Sequence, residues 1–250
     1  MYNPFSLEGK TILVTGASSG IGRSIAVECS RLGARIFITA RNKSRLQETL
    51  SQMEGQGHQY ICSDLNDEAS IISLVEQLPQ LNGVVHNAGI GDRTMCKMVS
   101  AATIKKVMTT NFEGPALLQR HLLKKKKIER EGSIVFISSR APFAPSLGNA
   151  FYAASKGAII GYAKCLGLEV APQKVRVNCI CPAMVWTEMA EKDAALVGAD
   201  YSVEQKKYAL GRYGKPEDIA YLAIYLLSNA SCWMTGSCVD ITGGGEFTLV

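Results

Sequence analysis

The chain has 250 residues, enough for one large α/β domain or two small ones. With 47% hydrophobic and 20% charged residues, its composition is that of an ordinary soluble globular protein. The net charge of +5 is mild, and the one dense basic run, residues 124–127, lies between an apolar helical stretch and a strand-like segment. We interpret this run as a solvated helix end and expect no nucleic-acid partner.

The cysteines and histidines do not have the spacing of a metal site. The eight cysteines include no CxxC pair, and the three histidines are scattered. The first ten residues lack a basic-then-apolar signal pattern, and no apolar run approaches the length of a membrane span. We therefore expect free thiols, no metal, no membrane partner and a reducing, cytoplasmic setting.

Short apolar runs alternate with helical patterns along the whole chain. The predicted strands are residues 11–15, 35–39, 60–62, 83–86, 133–138, 175–180 and 238–241. Helices are predicted for residues 21–32, 43–53, 68–78, 101–123, 151–170 and 216–228, with a less regular stretch before residue 214. The strands are continuously apolar, which predicts helices on both faces of the sheet. The pattern therefore predicts one α/β domain over residues 1–250, a Rossmann-like, doubly wound parallel sheet of about seven strands.

A glycine-rich turn follows the first predicted strand and opens the first helix. Its candidate cofactor-binding residues are Gly16, Ser18, Ser19, Gly20, Ile21 and Gly22. A glycine triplet alone is weak evidence, but this one lies within a strand–helix–strand unit. Glycine lets the backbone turn tightly and lets a pyrophosphate approach, while the free N–H groups at the helix start favour an anion. The turn predicts a dinucleotide site, with an ordinary tight turn as the alternative.

Further motifs follow in order along the chain. They are Asn87-Ala88-Gly89 after the fourth strand, Asn111, Ser139, Tyr152 with Lys156, the stretch 178–187, residues 214–220 and Thr235-Gly236. Together with the TGxxxGxG spacing of the turn, this ordered set resembles the short-chain dehydrogenase/reductase family over essentially the whole chain. The resemblance implies an oxidoreductase that interconverts a carbonyl and a secondary alcohol by hydride transfer with a nicotinamide dinucleotide.

The resemblance also implies cofactor contacts outside the glycine turn. Asp64 would hydrogen-bond the adenine edge, with Leu65 beside the ring. The segment of Asn87, Ala88 and Gly89 would line the adenine ribose.

Further along, the resemblance implies a nicotinamide-binding segment. Pro182, Val185 and Thr187 would seat the carboxamide, Val185 through its backbone and Thr187 through its hydroxyl. The family usually has glycine after that proline, whereas this chain has Ala183, which predicts a slightly different loop path.

The end of the second strand discriminates between NAD and NADP. An acidic residue there accepts hydrogen bonds from the ribose 2′-OH, whereas an arginine accommodates a 2′-phosphate. Residues 38–45 contain Arg41, Lys43 and Arg45 and no carboxylate. The alternative is the charged start of a surface helix, and some NADP-preferring relatives carry a second basic residue where this chain has Ser19. We predict NADP(H), with Arg41 as the phosphate clamp and NAD(H) as the alternative cofactor.

Tyr152 and Lys156 are four residues apart and share one face of the predicted helix 151–170. A free phenol has a pKa of about 10, and a lysine ammonium within ~4–6 Å lowers it towards the working range. Tyr152 can then act as general acid or base. Lone tyrosines on helices usually only pack, so the prediction depends on the pair.

The resemblance adds two residues to this pair. Ser139, rather than the adjacent Ser138, would stabilise developing charge on the substrate oxygen. Asn111 would organise a proton relay through water to Lys156, and Lys156 would also bind the nicotinamide ribose. Tyr152 and Lys156 are therefore expected both as catalytic residues and as cofactor contacts.

The substrate is less determined. Walls are expected from residues 91–95, 140–149 and a lid at 186–210, whose apolar character suggests an apolar or mixed substrate. The commonest relatives reduce 3-oxoacyl groups on acyl carrier protein and offer arginines to the carrier.

At the corresponding positions this chain has Ser133 and Gln173, although Lys174 and Arg176 lie close. A free small-molecule ketone, including a steroid, is therefore the alternative substrate, and a non-catalytic NADP(H) sensor is the alternative function. Residues 151–170 and 238–250 resemble the subunit contacts of the family, so we expect a homotetramer.

Overall fold

Seven parallel strands form one sheet in the computed structural model of the protein, which describes residues 2–198 and 200–245. In chain order the strands are β1 (Thr11–Thr15), β2 (Arg35–Ala40), β3 (Gln59–Cys62), β4 (Leu81–His86), β5 (Ile128–Ile137), β6 (Arg176–Pro182) and β7 (Cys238–Ile241). Across the sheet their order is β3-β2-β1-β4-β5-β6-β7. The predicted doubly wound, Rossmann-like sheet is confirmed.

Helices cover both faces of this sheet. Within the described residues they are α1 (Gly20–Arg31), α2 (Lys43–Ser51), α3 (Glu68–Gln77), α4 (Ala101–Met108), α5 (Gly114–Lys124), α6 (Ala150–Val170), α7 (Glu188–Val197), α8 (Tyr201–Glu204) and α9 (Pro216–Leu227). Ile12 and Val14 of β1 pack with α1 and α9 on one face, whereas Leu13 packs with α3 and α5 on the other. Successive strand residues are thus buried on opposite faces, which explains the continuously apolar strands.

The position of β1 fixes where a ligand can bind. β1 pairs with β2 on one side and with β4 on the other, so the chain leaves these strands in diverging directions at their carboxyl ends. Open α/β sheets bind ligands in the crevice at such a switch point. The glycine turn after β1 and residues 87–89 after β4 meet at this crevice.

One predicted helix is interrupted. The region 101–123 contains a π-helical turn at Thr109–Glu113 between α4 and α5. Pro115 has no N–H with which to continue the regular hydrogen-bond ladder. The preceding Gly114 lies so close to the carbonyl oxygen of Leu65 that a Cβ there would collide with it. The turn places Asn111 in the interior, and π-helical turns of this kind are frequent at functional sites.

Two other elements differ from the sequence prediction. β5 begins at Ile128 instead of residue 133, because Ile128 pairs with Leu81 through the backbone although the intervening side chains are polar. The less regular stretch before residue 214 contains α7 and α8, which begin at capping residues Thr187 and Asp200. None of the helices in the described residues is long and apolar enough to cross a membrane.

Candidate active site

Close backbone packing shapes the glycine turn. Gly16 and Gly20 have φ values of +64° and +53°, in the left-handed region that favours glycine. A Cβ on Gly16 would lie 2.8 Å from Cα of Ala88, and a Cβ on Gly22 would lie 2.5 Å from the carbonyl oxygen of Gly16. A side chain at position 16 or 22 would therefore push the turn out of its path.

Asn87 fastens the end of β4 to this turn. Its Nδ2 donates to the carbonyl oxygens of Thr15 (3.1 Å) and Gly16 (3.2 Å). In return, the Thr15 hydroxyl oxygen accepts from the backbone N–H groups of Asn87 (3.0 Å) and Ala88 (3.1 Å). The sequence suggested only that this segment lines the adenine ribose, and the structure adds a scaffolding role.

The start of α1 leaves donors for an anion. Ser19 is the N-cap residue, yet its side chain makes no capping hydrogen bond. The first N–H groups of a helix have no partner within the helix, so these donors remain for a phosphate group. Arg23, one turn along, supports the loop, because it donates to the Ser18 carbonyl oxygen at 2.7 Å and pairs with Glu48 at 2.6 Å.

A cleft of about 360 Å³ opens above this turn. Predicted cofactor residues that line it are Gly16, Ser18, Ser19, Gly20, Ile21, Arg41, Asp64, Leu65, Asn87, Ala88, Gly89 and Thr187. Lining residues not selected from the sequence as cofactor contacts are Thr39, Ala40, Asn42, Arg45, Ser63, Asn66, Ile90, Thr110, Glu188 and Met189. The predicted contacts outside this lining are Gly22, Tyr152, Lys156, Pro182 and Val185. We call the glycine turn with residues 41–45, 63–66 and 87–89 the adenosine side, and residues 183–214 the lid side.

The cations on the adenosine side differ in their partners. Arg41 is exposed, and its guanidinium has no hydrogen-bond or ion-pair partner among the residues that the structure describes. Arg45, by contrast, pairs with Glu188 of the lid side at 2.8 Å. Asp64 accepts a hydrogen bond from the backbone N–H of Asn66 at 3.0 Å. Of the two arginines that line the cleft on this side, Arg41 is thus the one whose charge is not matched by a carboxylate of the described residues.

The Tyr152 and Lys156 side chains meet at the first turns of α6. The Lys156 ammonium lies 5.8 Å from the centre of the Tyr152 ring and donates to the Ile137 carbonyl oxygen at 2.9 Å. The Lys156 side chain is buried, and loss of hydration lowers its pKa to about 8. The lysine therefore remains largely protonated at neutral pH and loses its charge as the pH rises through about 8.

The two serines after β5 have different environments. Ser138 is buried, and its hydroxyl donates to the Lys156 carbonyl oxygen at 2.9 Å, which ties α6 to β5. Ser139 is partly exposed, and its hydroxyl oxygen accepts only from the Ala141 N–H at 3.1 Å among the described residues. The Ser139 hydroxyl is therefore accessible to a ligand, whereas Ser138 holds the helix.

Asn111 holds the loop that follows β4. Its Nδ2 donates to the Ile90 carbonyl oxygen and to the Ser155 hydroxyl, both at 3.0 Å, and its Oδ1 accepts from the Ile90 N–H at 2.8 Å. A Cβ on Gly89 would lie 3.1 Å from Asn111 Oδ1 and 3.4 Å from Lys156 Nζ. The structure therefore brings the Asn111 and Lys156 side chains close to the same glycine.

The predicted nicotinamide segment is held by aromatic packing. Val185 forms a parallel bridge with Gly214, and the Thr187 hydroxyl oxygen caps α7 by accepting from Ala190 N–H at 3.2 Å. The Tyr213 ring contacts other aromatic rings at centroid distances of 4.9 to 5.7 Å, those of Trp186, Tyr201 and Tyr208. Ala183 does not have a positive φ, and its N–H donates to the Ile241 carbonyl oxygen, so glycine is not required at this position.

Comparison with known proteins decides the family. The family model described as short chain dehydrogenase matches residues 10–196. The chain belongs to the short-chain dehydrogenase/reductase family. It is 34% identical to a 3-oxoacyl-[acyl-carrier-protein] reductase of Rickettsia prowazekii, over 95% of this chain and 97% of that one. It is 32% identical to a tropinone reductase homologue of Arabidopsis thaliana, over 96% and 93%. A short-chain type dehydrogenase/reductase from Mycobacterium marinum has a TM-score of 0.88 at 28% identity, over 97% of each chain.

As a member of the short-chain dehydrogenase/reductase family, the protein is an oxidoreductase that acts on CH–OH or carbonyl groups with a nicotinamide dinucleotide. The site fits that cofactor. The close approach at Gly16 and Gly22 and the open donors at the start of α1 suit a pyrophosphate. The cleft continues past Asp64 towards Arg41, where the adenosine would lie.

Sequence reasoning missed three contributors to this family site. Arg23 supports the glycine turn, Glu188 pairs across the cleft, and Tyr213 organises the lid side. No local pattern marks Glu188 as the partner of Arg45, which lies 143 residues away. Tyr213 is not marked either, because its ring partners Trp186, Tyr201 and Tyr208 follow no regular spacing. Arg23 could have been suspected, because it follows the last glycine of the turn by one residue.

Proposed function

We propose that the protein is an NADP(H)-dependent ketoreductase that interconverts a carbonyl and a secondary alcohol, with Tyr152 as the acid/base. The observation that carries this proposal is the buried Lys156 ammonium beside the Tyr152 ring, next to a cleft that fits a dinucleotide. When bound, the nicotinamide supplies or accepts the hydride.

The residues around Tyr152 give it its role. The Lys156 ammonium favours the phenolate form of the neighbouring ring and keeps the phenol ready to exchange a proton. In reduction, Tyr152 Oη donates a proton to the substrate oxygen, and in oxidation it accepts one. The Ser139 hydroxyl donates a hydrogen bond to the same oxygen. Ile137 and Ser138 hold Lys156 in place through its side chain and its backbone carbonyl.

The preference for NADP rests on Arg41. Its guanidinium lines the cleft, is exposed and has no partner among the described residues. A planar guanidinium can donate two charge-assisted hydrogen bonds to a 2′-phosphate, which NAD lacks. Arg45 also lines the cleft, but its charge is already matched by Glu188.

A 3-oxoacyl thioester is the first substrate candidate, because a close relative is named for that reaction. The expected carrier contacts receive little support, however. Ser133 is buried and donates to the Leu226 carbonyl oxygen, and Arg176 is buried with its guanidinium bonded to Ser231 and to the Ser228 carbonyl oxygen. Lys174 is exposed and pairs with Glu131 at 2.9 Å. A carrier protein would have to bind through Lys174 and neighbouring surface cations.

A free apolar ketone is the second candidate. Large apolar side chains remain exposed on the expected substrate walls, at Phe143 (54%), Leu147 (84%) and Met189 (47%). Such side chains can cover an apolar substrate body without carrier contacts. The Arabidopsis relative is named as a homologue of tropinone reductase.

The protein is further proposed to act as a homotetramer. The outer stripe of α6 exposes Gly161, Cys165 and Leu168, and Leu168 is 79% exposed. Of the other expected contact, residues 238–250, the last five lie outside the described residues. Light scattering at micromolar concentration should give four times the mass of one chain, and a monomer would contradict this proposal.

The test is a turnover assay that follows reduced nicotinamide against a panel of carbonyls. The panel contains a 3-oxoacyl carrier protein, the corresponding coenzyme A thioester, a steroid ketone and small free ketones, each with NADPH and with NADH. We expect NADPH to be consumed with a higher kcat/KM than NADH. Tight NADPH binding without turnover of any carbonyl would favour the sensor. A preference for NADH would contradict the assignment of Arg41.

A further inference from the structure

Arg45 and Glu188 form an ion pair across the mouth of the cleft. Nη1 of Arg45 lies 2.8 Å from one carboxylate oxygen of Glu188, and Nη2 lies 3.3 Å from the other. Arg45 belongs to the first turn of α2 on the adenosine side, and Glu188 is the first residue of α7 on the lid side. Both side chains line the cleft, although they are 143 residues apart in sequence. The pair therefore connects the two walls between which a dinucleotide would lie.

Local hydrogen bonds fix both ends of this bridge. Asn42 Oδ1 accepts from the Arg45 N–H at 3.1 Å, and Thr187 Oγ1 accepts from the Ala190 N–H at 3.2 Å. These caps fix the residues at which α2 and α7 begin, so the first turn of each helix stays beside the cleft. Deeper in the cleft, a Cβ on Gly20 would lie 3.3 Å from Thr187 Cγ2. The lid side thus contacts the adenosine side at two places: Thr187 lies against Gly20, and Glu188 pairs with Arg45.

The pair remains charged over the pH range in which enzymes work. Arg45, and then Lys192 at 2.8 Å, lower the pKa of Glu188 to about 2. A carboxylate at the start of a helix is also favoured by the helix dipole. The side chains are 45% and 37% exposed, and ion pairs with that exposure are weak. The bridge can therefore open and close reversibly.

We propose that Arg45 and Glu188 are positioning residues that fasten α7 across the bound dinucleotide, so that the cofactor leaves only after the pair has opened. The proposal rests on the proposed function in one respect, that the cleft holds a dinucleotide, and it is independent of the preference for NADP. Neither residue is assigned to the reacting atoms. Their effect is on how long the cofactor remains bound and how well the lid side is seated during turnover.

The test measures cofactor dissociation by stopped flow, using the fluorescence of bound NADPH and, separately, of bound NADH. Arg45→Gln and Glu188→Gln should each raise the dissociation rate about two- to fivefold, the range expected for an exposed ion pair. The factor should be the same for both cofactors, because the 2′-phosphate is assigned to Arg41 and the Arg45 guanidinium is engaged by Glu188. Added salt should raise the wild-type rate by a larger factor than that of either variant, because only the wild type has the bridge to lose in addition to its phosphate contacts.

The matched control is Glu191→Gln on the same helix, since Glu191 has no ion-pair partner within the described part of the chain. Its dissociation rate should equal that of the wild type. The double variant Arg45→Glu with Glu188→Arg should bring the rate back towards the wild-type value, which a merely structural effect of either single change would not do. Under steady state, both single variants should raise the KM for cofactor, with kcat unchanged or raised.

Three results would overturn the proposal. Unchanged dissociation in both single variants would make the bridge a surface pair without function. Tighter NADPH binding in Glu188→Gln, with NADH unaffected, would mean that Arg45 serves the 2′-phosphate and Glu188 competes for it. Failure of the wild type to bind either dinucleotide would remove both this inference and the proposed function, whereas binding with unchanged dissociation would remove the inference alone.

Discussion

The adenosine side and the lid side of the cleft are built in different ways. On the adenosine side, backbone lies against backbone, and Asn87 ties the glycine turn to the end of β4 with hydrogen bonds of 3.1 and 3.2 Å. On the lid side, scattered backbone hydrogen bonds and a group of aromatic rings around Tyr213 hold the chain, and large apolar side chains such as Met189 remain exposed.

This difference matches two separate requirements of the reaction, a cofactor site that stays constant and a substrate pocket that varies. The dinucleotide is the same for every substrate, so a wall without room for side chains suits it. A substrate pocket must change from one enzyme to another, and ring packing tolerates substitution better than close backbone contact does. The adenosine side should therefore determine which cofactor binds, and the lid side which carbonyl is accepted, with Tyr152 acting between them.

The largest expected effect comes from Tyr152→Phe. Loss of a positioned acid/base group should lower kcat by ~10²–10⁴ fold. The ring itself remains, so the dissociation constant of NADPH, measured by fluorescence titration, should stay within experimental error of the wild type. Wild-type turnover in the purified variant would disprove the mechanism, and a large loss of NADPH binding would show that the two sides are not separable.

The converse experiment is Arg41→Asp on the adenosine side. Two charge-assisted hydrogen bonds contribute ~1.5–3 kcal/mol each, so kcat/KM for NADPH should fall by about two orders of magnitude or more. NADH should be used equally well or better, because the new carboxylate can accept from the ribose hydroxyls. The measurement is kcat/KM for both cofactors at one fixed carbonyl concentration. A surviving NADPH preference would move phosphate recognition to Lys43, Arg45 or the hydroxyls of Ser18 and Ser19.

The contrast between the two sides also explains what the sequence could predict. The sheet followed from apolar runs, and the turn residues followed from a motif in which each glycine has a local steric reason. The ion pair of Arg45 with Glu188 could not be predicted, because it joins residues that are 143 positions apart in the chain. The π-helical turn at Thr109–Glu113 was missed because its apolar pattern continues that of a helix.

A third prediction concerns the lack of space for a side chain at Gly22 on the adenosine side. In Gly22→Ala the added methyl would lie 2.5 Å from the Gly16 carbonyl oxygen, and neither backbone can easily yield. We expect a loss of ~1–3 kcal/mol in the free energy of unfolding, together with much weaker dinucleotide binding. The matched control is Gly91→Ala, where φ is not positive and a Cβ would lie 3.7 Å from the Met189 sulphur, an ordinary van der Waals contact. Denaturant titration should show that control to be neutral or more stable, and equal losses in both variants would refute the steric argument.

The smallest effect is expected on the lid side, from Gly211→Ala. Gly211 has a φ of +68°, and a Cβ there meets nothing within 4 Å among the described residues, so the cost arises from backbone strain alone. Alanine in this conformation costs ~1–2 kcal/mol, but the turn can relax locally, because its N–H bond to the Tyr208 carbonyl oxygen lies at the surface. In a domain of this size, ~1 kcal/mol corresponds to a fall of about 2–4 °C in Tm.

Displacement of Tyr208 in Gly211→Ala should loosen its ring contact with Tyr213 and raise the KM for the carbonyl a few-fold, while the dissociation constant of NADPH stays unchanged. Isothermal titration with NADPH and steady-state kinetics with the best carbonyl of the panel would measure both quantities on one preparation. An increase in the KM for the carbonyl and in the dissociation constant of NADPH by the same factor would show that the lid side and the adenosine side respond as one unit.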